Sequence, residues 1–394
     1  MKAPLKVLFL SRWYPDRYDP MIGLFVKRHA ETAAIFADVA VLYLRAAPEK
    51  PKGFLIDQKV ENRVTRTIVY YGTQCSLPYP MVKVRAAFLF VIAFFRGYRF
   101  VLETWGNPVL IHVNVLTRIG LLALYLRIFK KINYVITEHW SRYLPQTGTY
   151  KGLFRKTATK LIVSNASAVS TVSNNLAKAM QVHGLKSSTY LILPNVVDTE
   201  LYTLPKQTNI NPSIRIIHVS CFEDKSKNIS GILRMLSSLS QLRSDFECIM
   251  VGEGIDLQKM KKLAAELNLS PKVVQFAGLL ENEKLVEMYQ SADFMLMFSN
   301  YENMPVVISE SFSCGIPVVA TAVGGIPEYV NAENGLLVKA GDEEALLKSV
   351  MYMLDNYRKY NRTAIRNSAI KEFSKNSVML RLKELYSHAT NRIE

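Results

Sequence analysis

The stretch from Phe294 to Thr321 constrains the fold of this chain more than any other. Phe294-Met295-Leu296-Met297-Phe298 is a short apolar run of the kind that makes a buried strand. Ser299 to Asn303 is polar and loop-like, and Pro305 stands where the first position of a helix favours proline. From Val306 to Cys314 the pattern predicts a helix that Gly315 stops, and Val318 to Thr321 predicts a second buried strand. Strand, loop, helix and strand make a Rossmann-like unit, whose helix start aims unpaired N–H groups at the mouth of the sheet and attracts phosphate. Glu302 lies in the mouth loop and Glu310 about a turn and a half into the helix. Both can face one ligand as acceptors of sugar hydroxyls. A ligand with hydroxyls at its two ends and a diphosphate between them, such as a nucleotide-sugar, fits two carboxylates flanking an anion-binding helix end. Spacing alone fits two solvated surface carboxylates equally well.

Glu302-x7-Glu310 followed by Ser311-Phe312-Ser313-Cys314-Gly315-Ile316-Pro317-Val318-Val319-Ala320-Thr321 resembles the donor-site motif of family 4 glycosyltransferases, the retaining enzymes of GT-B fold. The resemblance implies an α/β architecture of two facing Rossmann-like, doubly wound parallel-sheet domains, with a C-terminal helix crossing back to the first. It puts the transferred sugar on Glu302 and the ribose hydroxyls on Glu310. The loop amides of Asn303, Met304 and Pro305, with Val306 opening the helix, complete the donor site. Glycines are commoner there in the family, and Pro305 has no N–H to give. Thr137-Glu138-His139 is similar to the family segment whose histidine reaches the transferred sugar near its anomeric centre. Tyr14-Pro15 through Gly23 to Ala30 is similar to its N-terminal glycine loop, although a plain turn before a helix reads as well at Gly23. The family also carries an arginine soon after the first strand of the second domain and a lysine a few residues later. Here Cys221 and Phe222 stand at the arginine's place, leaving Lys227, or Lys225 as a substitute, to stabilise the leaving diphosphate.

At 394 residues the chain is expected to form two domains. We expect an acceptor-side domain over 1–193, a nucleotide-sugar domain over 194–375 and a returning helix over 376–394, with Pro194-Asn195 to Asp198 at the crossing and a linker at 204–212. Charge divides the same way. Residues 1–190 hold 27 Lys/Arg against 9 Asp/Glu, a net of +18, and the remainder 22 against 24, a net of −2. An anionic partner is therefore expected for the first half alone. Apolar helices over 82–100 and 116–131 carry basic residues near their ends, which suits an anionic membrane surface on the cytoplasmic side. The longest apolar run, Ala86 to Phe95, has ten residues, about half of what a spanning helix needs. Met1 to Ser11 reads as a first strand rather than a signal-peptide core. Cys75, Cys221, Cys248 and Cys314 are scattered without metal-ligand spacing, as in a reducing compartment.

No Asp-x-Asp occurs, so no metal is expected, and no cofactor beyond the nucleotide-sugar co-substrate. No hydrolase constellation and no nucleic-acid module stands out, so no nucleic-acid partner is expected. The expected reaction is retaining transfer of a hexosyl-type sugar to a saccharide or lipid-linked saccharide. The rival readings are a GT-B nucleotide-sugar epimerase and a non-catalytic binder of anionic surfaces. His112, one strand before His139, reads as a structural or acceptor-side residue.

Overall fold

The computed structural model describes residues 4–47, 53–72, 79–116, 118–205 and 213–390. Cys75 and most of the expected linker, 206–212, lie outside the described residues.

Alternation of buried side chains builds the first sheet. Strands β1 (Lys6–Ser11), β2 (Asp38–Ala47), β3 (Phe54–Glu61), β4 (Val64–Gly72), β5 (Leu110–Asn114), β6 (Asn133–Glu138), β7 (Ala168–Thr171) and β8 (Tyr190–Ile192) run in the order β3-β4-β2-β1-β5-β6-β7-β8. All pairs are parallel except β3 with β4. Phe9, Val41 and Val135 pack on one face, under helix α1 (Leu24–Ala33). Leu8, Leu42 and Val113 pack on the other, under α2 (Tyr79–Thr104) and α3 (Arg118–Lys130). Both faces are covered, so the strands are apolar nearly throughout, as parallel strands must be. Helices α4 (Leu153–Ser164) and α5 (Asn174–Val182) complete this half.

The second sheet has six strands, all parallel, in the order β11-β10-β9-β12-β13-β14. They are β9 (Ile214–Val219), β10 (Phe246–Val251), β11 (Val274–Gly278), β12 (Phe294–Met297), β13 (Val318–Thr321) and β14 (Gly335–Val338). The intervening helices are α6 (Asp224–Lys227), α7 (Ile229–Ser240), α8 (Leu257–Glu266), α9 (Asn282–Ser291), α10 (Val306–Ser313), α11 (Glu343–Asn356) and α12 (Arg362–Phe373). Among the parallel strands the order reverses between β1 and β5 in the first sheet and between β9 and β12 in the second. Open α/β sheets bind ligands at such switch points, beyond the carboxyl ends of the strands.

Two crossings tie the halves together. Asp198 accepts from the Leu201 and Glu200 amides and pairs with Lys375 at 2.5 Å, while Arg366 donates to the carbonyls of Thr199, Tyr202 and Ser313. The last helix, α13 (Lys375–Ser387), returns to the first domain as expected. Its Tyr386 hydroxyl lies 2.9 Å from Nδ1 of His112, whose Nε2 lies 2.6 Å from the Thr137 hydroxyl. His112 is fully buried in this network, so it is a structural residue.

Some elements differ from the sequence expectation. Helix α2 is longer than 82–100. Strand β3 is not foreshadowed by any apolar run, because it is an edge strand none of whose side chains is fully buried. Pro305 sits one position earlier than expected, as the extended N-cap residue of α10 (φ −70°, ψ 126°).

Candidate active site between the domains

The carboxyl edge of each sheet faces the other. The loop after β12 and the Gly324-Gly325 turn after β13 meet the ends of β6 and β7. Gly324 has φ 59°, and a Cβ there would fall 1.9 Å from the Glu302 carbonyl oxygen. Only glycine lets that turn lie against the Glu302 loop. The Asn303 side chain donates to the His139 carbonyl, and Nδ2 of the Asn195 side chain donates to the Met304 carbonyl at 3.3 Å. Glu328 reaches across to the start of α5, accepting from the Asn174 and Asn175 amides at 2.8 and 2.7 Å. A carboxylate at a helix N-terminus is favourable, so this pair helps hold the domains together.

At the β9/β12 switch point, Lys227 and Glu302 are brought together across 75 residues. The Lys227 ammonium lies 2.5 Å from Oε1 of Glu302, which also accepts from the Ser299 hydroxyl at 2.9 Å. Burial opposes the charge on Lys227, but Glu302 beside it raises its pKa above the ordinary lysine value. Lys225 points elsewhere: it is exposed, and its carbonyl accepts from the Asn300 side chain. Of the two candidate cations, Lys227 alone is in the cleft. At the place of the missing arginine, Phe222 is fully buried and its backbone lies against Gly254, where a Cβ would sit 2.6 Å from the Phe222 amide. Cys221 is exposed.

Glu310 is buried within α10. Its Oε1 lies 3.0 Å from the Arg28 guanidinium, which comes from α1 of the first domain, and the Tyr289 hydroxyl is 3.4 Å from Oε2. Burial alone would lower the Arg28 pKa, but Glu310 and Tyr202 raise it. Arg28 was not foreseen from sequence. It is one cation in Lys27-Arg28-His29, and its partner is 282 residues away.

His139 ends the first-domain side of the cleft. Phe25 lies against its ring, with centroids 4.4 Å apart, and His29 is at 5.4 Å. Burial, with His29 and His112 nearby, lowers its pKa well below the usual histidine value, so the ring is neutral at pH 7. Both ring nitrogens, with Oδ1 of Asn195 and Oδ1 of Asn303, are buried without a hydrogen bond of good geometry among the described residues, although the Asn195 side chain is close enough to His139 to oppose part of the burial effect on its pKa. Buried polar atoms left without good partners are costly, and four such atoms on facing loops of one cleft suit a polar ligand. The Asn303 and Met304 amides likewise donate no hydrogen bond among the described residues. Gly23 is the N-cap residue of α1, with φ 68°. A Cβ there would lie 2.4 Å from the Trp13 carbonyl group, so the close approach that demands glycine is to Trp13. Val306 is half-buried at the start of α10. Glu138 serves structure: its carboxylate accepts from the amides of Leu116, His139 and Trp140, all at 2.9 Å, and burial raises its pKa to about 7.

Among the described residues no group of three or more His, Cys, Asp or Glu is placed to hold a metal ion. None of the described helices is long and apolar enough to cross a membrane.

Comparison with known proteins agrees with this geometry. Residues 203–371 match the family described as glycosyl transferases group 1, and residues 38–201 match glycosyltransferase family 4. N-acetyl-alpha-D-glucosaminyl L-malate synthase of Bacillus anthracis is 26% identical over 203 residues, 49% of this chain but only 52% of that protein. The match therefore spans about half the length of that relative. A Bacillus subtilis protein named as a teichuronic acid biosynthesis glycosyltransferase is 23% identical over 366 residues, 88% of each chain. In fold, Anabaena HepE in complex with UDP-glucose superposes with a TM-score of 0.70 at 17% identity, over 97% of this chain and 99% of that one. With both halves matched and both sheets facing across one cleft, the chain belongs to the family 4 glycosyltransferases of GT-B fold.

Proposed function

We propose that the chain transfers a hexosyl-type group, with retention and without a metal, from a nucleotide-sugar to a lipid-linked saccharide at a membrane surface. The observation that carries this reading is the cleft itself: Lys227, Glu302 and Glu310 on one wall, and the buried polar atoms of His139, Asn195 and Asn303 between the walls. The diphosphate would lie over the start of α10, at the Lys227 ammonium and the Asn303 and Met304 amides, where charge develops as it leaves. Glu310 would accept the ribose hydroxyls and Glu302 those of the transferred sugar, next to the neutral His139. The bond from the anomeric carbon to the diphosphate oxygen breaks, its electron pair leaving with the nucleoside diphosphate. The acceptor oxygen bonds to that carbon, and its proton passes to the departing phosphate. The HepE structure holds UDP-glucose, which favours a uridine donor as the first to try. Turnover should be screened over a panel of nucleotide-sugars with and without saccharide acceptor. Transfer that requires acceptor supports the proposal, whereas conversion of the donor's sugar in the absence of acceptor makes the chain an epimerase.

The membrane part of the reading rests on α2. Met81, Val84, Phe88, Val91 and Phe95, spaced three and four apart, form one apolar stripe, and all five are exposed. Ile128 and Phe129 on α3 are exposed too. Such a stripe on the half of the chain with net +18 suits shallow insertion into an anionic interface. Each nearby Lys or Arg contributes about 1 kcal/mol. In flotation of the full chain, binding should require anionic lipid and fall steeply from low to high salt. Val84→Asp/Phe88→Asp should abolish it, since both side chains are exposed and the fold does not need them. Equal flotation with neutral vesicles would remove the charge argument, and no flotation would remove the membrane.

A further inference from the structure

The first sheet has a switch point of its own, between β1 and β5, and a second cavity opens there. It measures about 810 Å³, within the range of about 300–1,000 Å³ usual for ligand sites. Its walls are the ends of β1 and β2, the start of α3, the loop after β6 and the start of α4. Six of its lining residues are cations: Arg12, Arg45, Arg118, Arg142, Lys151 and Arg155. None of its lining residues is acidic. Arg45 is held by Asp16 at 3.2 Å, but none of the other five has a carboxylate partner among the described residues. Nε of Arg142 is buried with no hydrogen-bond partner. The Arg12 and Arg142 guanidinium groups both lie over the ring of Trp140, at 4.6 and 3.3 Å from its centroid. Trp140 follows His139 in the chain, so the cationic cavity adjoins the reaction cleft.

We propose that this cavity binds the phosphate or diphosphate group of a lipid-linked acceptor. Five convergent cations, four of them guanidinium forks, are more than a neutral saccharide or a single carboxylate needs. Forks of this geometry suit phosphate oxygens. Crowding at Arg12 fits the same occupant: burial and then Arg118 lower its pKa, with Arg155 adding to them and the buried Glu138 and Tyr43 opposing. At Arg142 burial lowers the pKa, and Tyr143 and Glu138 oppose it more than Arg155 and Arg12 add to it. An anion relieves the repulsion at Arg12. The lipid part of the assignment comes from the rim. Phe90 of α2, Leu121 of α3 and Phe154 of α4 line the cavity, and Leu121 and Phe154 are 39% and 81% exposed. Tyr125, one turn beyond Leu121 on α3, packs its ring against Phe95 of the α2 stripe with centroids 5.4 Å apart, so an acyl or prenyl chain has an apolar exit.

The inference rests on the transferase reading, and its test separates the two. Binding of farnesyl diphosphate, inorganic diphosphate and farnesol to the full chain should be measured by calorimetry. Farnesyl diphosphate is expected to bind at least about tenfold more tightly than inorganic diphosphate, and farnesol not at all. Arg118→Ala/Lys151→Ala, at exposed positions the fold does not need, should weaken both diphosphates about tenfold or more. In turnover it should raise the KM for a phosphorylated lipid acceptor and leave the KM for donor unchanged. Binding of free nucleoside diphosphate reads the other cleft: if it is unaffected while farnesyl diphosphate is lost, the cavity assignment stands whatever the donor proves to be. Loss of farnesyl diphosphate only in Lys227→Ala would put the anion in the donor cleft and overturn the proposal. Equal affinity for the two diphosphates would overturn its lipid part.

Discussion

Lys227→Ala is expected to lower turnover about 100- to 1,000-fold, the size of effect seen when one electrostatic stabiliser of a developing charge is removed, whereas Lys225→Ala changes it less than about threefold. The difference follows from placement. The Lys227 ammonium is inside the cleft against Glu302, and the Lys225 side chain is outside it. No arginine follows β9 to share the task, since Phe222 is turned into the core and Cys221 carries no positive charge. Removing Lys227 also leaves the buried Glu302 carboxylate unpaired, which is destabilising in its own right. Lys227→Ala/Glu302→Gln, compared with Glu302→Gln alone, distinguishes the two effects. The double variant should recover thermal stability but turn over far more slowly than Glu302→Gln. Equal turnover of the two would mean that Lys227 only neutralises Glu302. A larger loss in Lys225→Ala would show that the loop after β9 rearranges when the donor binds.

Much of this was legible in the chain, and the reasons it was or was not are physical. Strands such as β1, β12 and β13 are buried on both faces, so their apolar runs announce them. The edge strand β3 alternates irregularly between half-buried and exposed, and its turn uses Asn62 and Arg63, both at positive φ. Asn62 is a turn residue but Arg63 is not, so the hairpin leaves only half of the usual turn signal in the sequence. Glu302 and Glu310 were found because they share one strand–loop–helix unit. Arg28, Asn195 and Glu328 bear on the same cleft, but each acts across the domain boundary, where spacing along the chain carries no information. Asn303 was expected to offer its amide to phosphate. Its side chain, which fixes the His139 loop, could not be read from a local motif. The cationic cavity is the extreme case. Arg12, Arg118, Arg142 and Lys151 come from four segments, and only the net charge of the first half hinted that they converge.

Glu310→Ala is expected to weaken binding of the free nucleoside diphosphate by about 10- to 100-fold, the equivalent of losing one charged hydrogen bond worth about 1.5–3 kcal/mol. Glu302→Ala should leave that affinity within about threefold and fall on kcat, because its partner is the sugar that the free nucleotide lacks. The assignment has a complication that the structure itself exposes. Glu310 already pairs with Arg28, so truncating it strips a counter-ion from a largely buried guanidinium as well as a partner from the ribose. A variant that loosens the domain contact would bind every nucleotide poorly for that reason alone. Arg28→Met removes the cation while keeping an apolar stem of similar length, and should cost the free nucleotide little, since Glu310 retains acceptor positions on both carboxylate oxygens. Calorimetry on Arg28→Met, Glu310→Ala and the double variant then decides. If Glu310 binds ribose, the double variant is as weak for nucleotide as Glu310→Ala. If the carboxylate serves only to hold Arg28, the double variant binds as well as Arg28→Met, and the ribose must be held elsewhere. Equal losses of free-nucleotide affinity in Glu302→Ala and Glu310→Ala would end the division of labour between the two carboxylates.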